Sequence, residues 1–104
     1  MAELEIGPLT AIPPGEGRAV DALGQKIAIF HARSGSVYAV QAECPHRKGP
    51  LAEGLIGGTT LICPLHSWKF DLATGEALFG ECGIKTYPVR VNEAGWIILT
   101  VDKP

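Results

Sequence analysis

The sequence predicts an all-β fold, and three observations support it. Thirteen glycines and eight prolines in 104 residues interrupt the chain too often for long helices, because proline removes a backbone donor and glycine weakens a helix interior. Strand-forming runs at both ends are separated by turn residues, the pattern of hairpins. Hydrophobic residues make up 46% and charged residues 19%, a globular composition outside the range of disordered tails, collagen-like repeats and coiled coils. The length fits one domain with a thin core.

Taken in order, Leu9 to Gly17 contains Pro13-Pro14-Gly15 and reads as a loop. Lys26–Phe30 and Val37–Val40 are strand-forming runs joined by Ala32-Arg33-Ser34-Gly35-Ser36, a first hairpin whose glycine can take a positive φ. Near the end, Lys85, Tyr87, Val89 and Val91 alternate with Thr86, Pro88, Arg90 and Asn92, the period of one half-buried strand. Asn92-Glu93-Ala94-Gly95 then turns the chain into Trp96–Val101, a second hairpin. Between the hairpins, at about 43–83, lies a loop-rich insert carrying seven glycines, three prolines, all three cysteines and two of the three histidines. Only Thr59–Ile62 and Trp68–Phe70 read as strands within it. An insert of that length in a β domain is usually functional.

Nine basic residues against eleven acidic ones give a net charge of −2, which argues against nucleic-acid binding, since that needs a clustered basic surface. The longest strongly apolar run, Trp96–Val101, is six residues, whereas a membrane-spanning helix needs about twenty. The first five residues, Met-Ala-Glu-Leu-Glu, lack the basic and apolar regions of a secretory signal. The expectation is a soluble, cytoplasmic protein. An odd number of cysteines then favours a metal site or reactive thiol over a disulfide framework.

The chemistry concentrates in two motifs, Cys44-Pro45-His46 and, nineteen positions after its first cysteine, Cys63-Pro64-Leu65-His66. Each loop contributes one thiol and one imidazole. Zinc suits two cysteines with two histidines, but zinc fingers usually draw both cysteines from one turn and both histidines from another. The mixed supply also matches a cluster in which two thiolates hold one iron and two imidazoles the other.

Cys-x-His, sixteen intervening residues, then Cys-x-x-His resembles the signature of the Rieske [2Fe–2S] family. Beyond the ligands, Cys44–Leu51 and Cys63–Asp71 are similar to the two cluster loops of soluble Rieske ferredoxins and related small subunits. The resemblance implies a Rieske-type antiparallel β-sandwich or barrel scaffold with a small cluster-binding subdomain and one [2Fe–2S] cluster per chain. It implies Cys44 and Cys63 on the inner iron and His46 and His66 on the outer, more exposed iron, from which electrons leave. With neutral imidazoles the oxidised centre carries no net charge, so it accepts an electron more readily than an all-cysteine cluster. It has no open coordination position. No catalysis is therefore expected of this chain alone; it would be the electron-transfer component of an oxidoreductase system.

High-potential members of the family carry a cysteine in each loop joined as a disulfide, together with a serine and a tyrosine that bond to cluster sulfurs. The matching positions here are Gly49 and Leu65, and Trp68 and Phe70. With Pro45 they form the expected surroundings of the cluster, and they imply no loop disulfide and a midpoint of about −150 to 0 mV, the low end of the Rieske range. Arg47, Lys48 and Lys69 flank the ligand motifs and are candidates for docking an acidic partner. Cys82 is expected to be a partly buried small apolar side chain, and His31 a surface or hydrogen-bonded strand-end residue rather than a ligand.

In motif detail, Glu81-Cys82-Gly83-Ile84-Lys85-Thr86-Tyr87-Pro88-Val89 looks most like the small subunit of assimilatory NAD(P)H nitrite reductase, whose partner is a large flavin, iron–sulfur and sirohaem subunit. The alternative is a free Rieske ferredoxin carrying electrons from a flavin reductase to an aromatic-ring-hydroxylating dioxygenase. A zinc-binding structural module is a remote third.

Overall fold

Every residue from Ile27 to Ala32 is buried, so this strand is covered on both faces. In the computed structural model, which describes residues 2–44, 50–64, 68–79 and 82–101, the cause is a sheet with apolar packing on each side. The strands are β1 (Ala2–Pro8), β2 (Glu16–Ala22), β3 (Gln25–His31), β4 (Val37–Gln41), β5 (Leu55–Gly57), β6 (Thr60–Ile62), β7 (Lys69–Asp71), β8 (Ala77–Phe79), β9 (Thr86–Tyr87), β10 (Val89–Val91) and β11 (Trp96–Val101). Short 3-10 turns occupy Leu9–Ala11 and Leu51–Glu53. The strands form three antiparallel sheets, ordered β1-β11-β10, β2-β3-β4-β9 and β5-β6-β7-β8.

The β2-β3-β4-β9 sheet contributes to both cores. Because side chains alternate across a strand, Ile27 and Ile29 of β3 and Ala39 of β4 join Ile12, Ile97, Leu99 and Val101 in one apolar cluster. Ala28, Phe30 and Val40 join Leu51, Leu61, Phe70, Leu72, Cys44 and Cys63 in the other. The first cluster ties this sheet to β11; the second ties it to the insert.

The predicted hairpins form. β3 and β4 pair in register from Ile27↔Gln41 to His31↔Val37, and Gly35 in their turn has φ +97°. In the second hairpin the Asn92 side-chain oxygen accepts from the N–H groups of Ala94 (3.0 Å) and Trp96 (2.9 Å), and Gly95 has φ +81°.

Three expectations need correction. The alternating run from Lys85 to Val91 is not one strand: β9 pairs with β4, β10 pairs with β11, and the chain changes sheets at Pro88. Proline has no N–H for a ladder, and its carbonyl instead accepts from Thr100 (2.9 Å). The insert is more regular than expected, since β5 and β8 join the two anticipated strands into a four-stranded sheet. The Leu9–Gly17 loop is shorter than expected, because β2 begins at Glu16.

Candidate metal centre

The first cysteine loop leaves β4 through a stem fixed on several sides. The Gln41 N–H donates to the Lys85 carbonyl (2.9 Å), the Ala42 N–H to Lys26 (3.2 Å) and the Leu51 N–H to Ala42 (2.9 Å). Glu43 and Pro50 form an antiparallel bridge. The Gln41 side-chain amide donates to the Glu43 carbonyl (2.7 Å), and its oxygen accepts the Lys85 N–H (2.8 Å). Cys44 follows directly on this closed stem.

The second loop is the β6–β7 connection. Ile62 pairs with Lys69, and the next rung is the Cys63 N–H donating to the Trp68 carbonyl (2.7 Å). The loop base therefore carries Cys63 at one end and Trp68 at the other.

Cys44 and Cys63 are each 2% exposed and belong to one apolar cluster, although nineteen positions separate them. Neither is in a disulfide. A charged thiolate in so apolar a setting needs a compensating cation, and a thiolate pair with imidazoles close by in sequence is a donor set for a soft or borderline metal centre. The described residues fit an iron–sulfur group.

His46 and His66 lie outside the described residues, as do Pro45, Arg47, Lys48, Gly49 and Leu65. Trp68 is half-buried and Phe70 fully buried, with ring centroids 6.4 Å apart at 51°. Lys69, between them in sequence, is exposed. His31 is a satisfied strand-end residue, its buried Nδ1 donating to the Ile12 carbonyl (2.7 Å). Cys82 departs from expectation: it is exposed, not partly buried. Its segment is irregular, and the neighbouring Gly83 packs on the Gly75 carbonyl. Sequence reasoning did not single out Gln41, because its partners at Lys85 are set by the fold and leave no local signal.

A family model described as the Rieske [2Fe-2S] domain matches residues 3–88. The chain is 35% identical over 86 residues to the ferredoxin component of a naphthalene 1,2-dioxygenase system from Pseudomonas aeruginosa, covering 81% of this chain and 82% of that one. It is 36% identical over 92 residues to 4beta-methylsterol monooxygenase of Methylococcus capsulatus, of whose length the match spans only 25%. Among solved structures, a putative NADH-dependent nitrite reductase small subunit from Mycobacterium tuberculosis superposes with a TM-score of 0.89 at 25% identity, covering 97% of this chain and 96% of that one. With two buried thiols at the bases of two loops and a family match over most of its length, the chain belongs to the Rieske [2Fe–2S] family, its cofactor is the [2Fe–2S] cluster, and it is an electron carrier.

Proposed function

We propose that residues 1–104 form a single Rieske unit whose insert, at about 43–83, holds one cluster through Cys44 and Cys63 on the buried iron and His46 and His66 on the outer iron. The convergence of Cys44 and Cys63 in one apolar cluster carries this reading. Bound there, the group supplies reversible one-electron chemistry. The chain's own part is to fix the two thiolates from below, exclude water from them, and leave the histidine-bearing side to meet a protein partner.

We further propose that the chain is the small subunit of a cytoplasmic NAD(P)H-dependent nitrite reductase, its partner the large subunit. The Cys82–Val89 segment supports this by its resemblance to that group. In this chain the segment is the crossover that carries β9 into one sheet and β10 into another. Among the described residues no helix is long and apolar enough to cross a membrane. Affinity capture of the holoprotein from its native host tests the assignment. Recovery of a sirohaem-containing protein, with nitrite reduction restored on mixing, is the expected result.

A second reading, a free ferredoxin serving a flavin reductase and an aromatic-ring-hydroxylating oxygenase, draws support from the 35% identity to a dioxygenase ferredoxin component over most of both chains. Capture of an oxygenase or flavin reductase instead of a sirohaem protein would establish it and overturn the first. Fold alone does not choose between them.

A further inference from the structure

We propose that a cavity at the open edge of the scaffold, with Arg18 at its mouth, binds a small apolar carboxylate of about the size of benzoate. The site is separate from the metal centre: its walls belong to the apolar cluster around Ile12, Ile97 and Leu99, not to the one that holds Cys44 and Cys63. Among the described residues β1 pairs only with β11 and β2 only with β3, so no ladder joins the two sheets at this edge. The chain crosses from one sheet to the other through the Leu9–Ala11 turn. A cavity of about 140 Å3 remains there, walled by Ile6, Ile12, Val20 and Ile97, with Gly7 and Arg18 beside them.

The cavity is held open by the backbone. The bulge in β1 sets Gly7, not Ile6, opposite Ile97. Gly7 has φ +151°, and a Cβ built on it would meet no atom within 4 Å. Both ends of the crossing are tied down, the Leu9 N–H to the Gly95 carbonyl at 2.9 Å and the Ile12 carbonyl to the His31 ring nitrogen at 2.7 Å. An apolar cavity of roughly 150 Å3 stays dry and takes up benzene, so a single ring fits the space. Arg18 supplies the second half of the recognition. It stands opposite Ile29, as Val20 stands opposite Ile27, and cross-strand partners share a face. Arg18 therefore springs from the core-facing side of β2, where Ile27 and Ile29 join the apolar cluster, and its exposed head lies at the mouth. It has no hydrogen-bond or ion-pair partner among the described residues. A guanidinium fork matches a carboxylate with two parallel bonds. A ring inside and a carboxylate at the mouth satisfy both parts at once, whereas a neutral arene leaves the cation unpaired and acetate leaves the apolar walls unfilled.

The test is a titration of the nitrogen-15-labelled holoprotein, followed by amide chemical shifts, with benzoate, benzyl alcohol and acetate as the probes. Benzoate is expected to give saturable shifts at Ile12, Val20 and Ile97. Benzyl alcohol should move the same amides about five- to tenfold more weakly, the worth of one charge-assisted pair at an exposed mouth, and acetate should not saturate them. Arg18→Gln should reduce benzoate to the affinity of benzyl alcohol. Val20→Phe, which places a ring in the same space, should abolish the shifts; if that variant does not fold, Arg18→Gln decides alone. The proposal is overturned if benzoate gives no saturable shift at these amides, if acetate matches benzoate, or if Arg18→Gln binds benzoate as tightly as the unaltered protein.

Discussion

Cys63 and Trp68 share one backbone hydrogen bond, N–H to carbonyl at 2.7 Å, which extends the β6–β7 ladder by a rung and seals the second loop beneath its thiol. The indole at this rung and the buried phenyl of Phe70 offer no hydroxyl where high-potential relatives place one. Phe70→Tyr should therefore raise a midpoint that starts at about −150 to 0 mV, as should Trp68→Ser, which keeps the backbone bond. A redox titration checks both. A tyrosine hydroxyl left without a partner in that core would instead cost about 1–3 kcal/mol, visible as lost stability with no rise in midpoint.

Replacing Cys44 or Cys63 with serine should abolish the visible absorption of the purified protein, whereas Cys82→Ser should leave it intact. The exposed position of Cys82 separates it from the apolar cluster that holds the other two. Bleaching in Cys82→Ser would refute the ligand set.

His46→Ala and His66→Ala should each lose the cluster or its outer iron. The insert should then be cut by protease far faster than in the holoprotein, because metal binding contributes to folding free energy. Iron analysis with timed proteolysis measures both effects.

Gly75 and Gly24 have nearly equal positive φ, +80° and +82°, but different surroundings. A Cβ at Gly24 meets nothing within 4 Å, while one at Gly75 runs into the Ile84 carbonyl. Gly24→Ala should cost the left-handed penalty of about 1–2 kcal/mol. Gly75→Ala should cost well beyond that, because the Ile84 N–H is also bonded to the Gly75 carbonyl at 2.8 Å. Denaturant unfolding of the two apoproteins gives the difference.

The hairpins, and the two cysteines that the fold brings into one apolar cluster, were legible in the sequence because their signals are local. Gly35 and Gly95 mark turns, and a cysteine with a histidine two or three positions on marks each of the two loops. The division of β9 from β10 was harder to read, since the alternation runs unbroken through Pro88 and only its missing donor betrays a change of sheet. β5 and β8 were missed because strands of three residues carry too little periodicity to register. They form because β6 and β7 offer them edges. The burial of β3 on both faces is likewise written in its continuous apolar run, yet it takes β11 on one side and the insert on the other to explain it. The contacts of Gln41 had no signal at all, because they depend on Lys85 arriving beside it from across the chain.

That meeting of Gln41 and Lys85 has a topological corollary. The polypeptide departs from β4 and returns to β9 at adjacent, hydrogen-bonded positions, so everything from Ala42 to Ile84 is in effect one very large hairpin connection. Its ends are already as close as a tight turn would bring them. The insert is thus a cartridge seated in a socket: bridging the gap with a few residues would leave the backbone pairing of the remaining strands intact but strip the apolar cover from Ala28, Phe30 and Val40, so a substitute cartridge must match that face as well as the pair of ends.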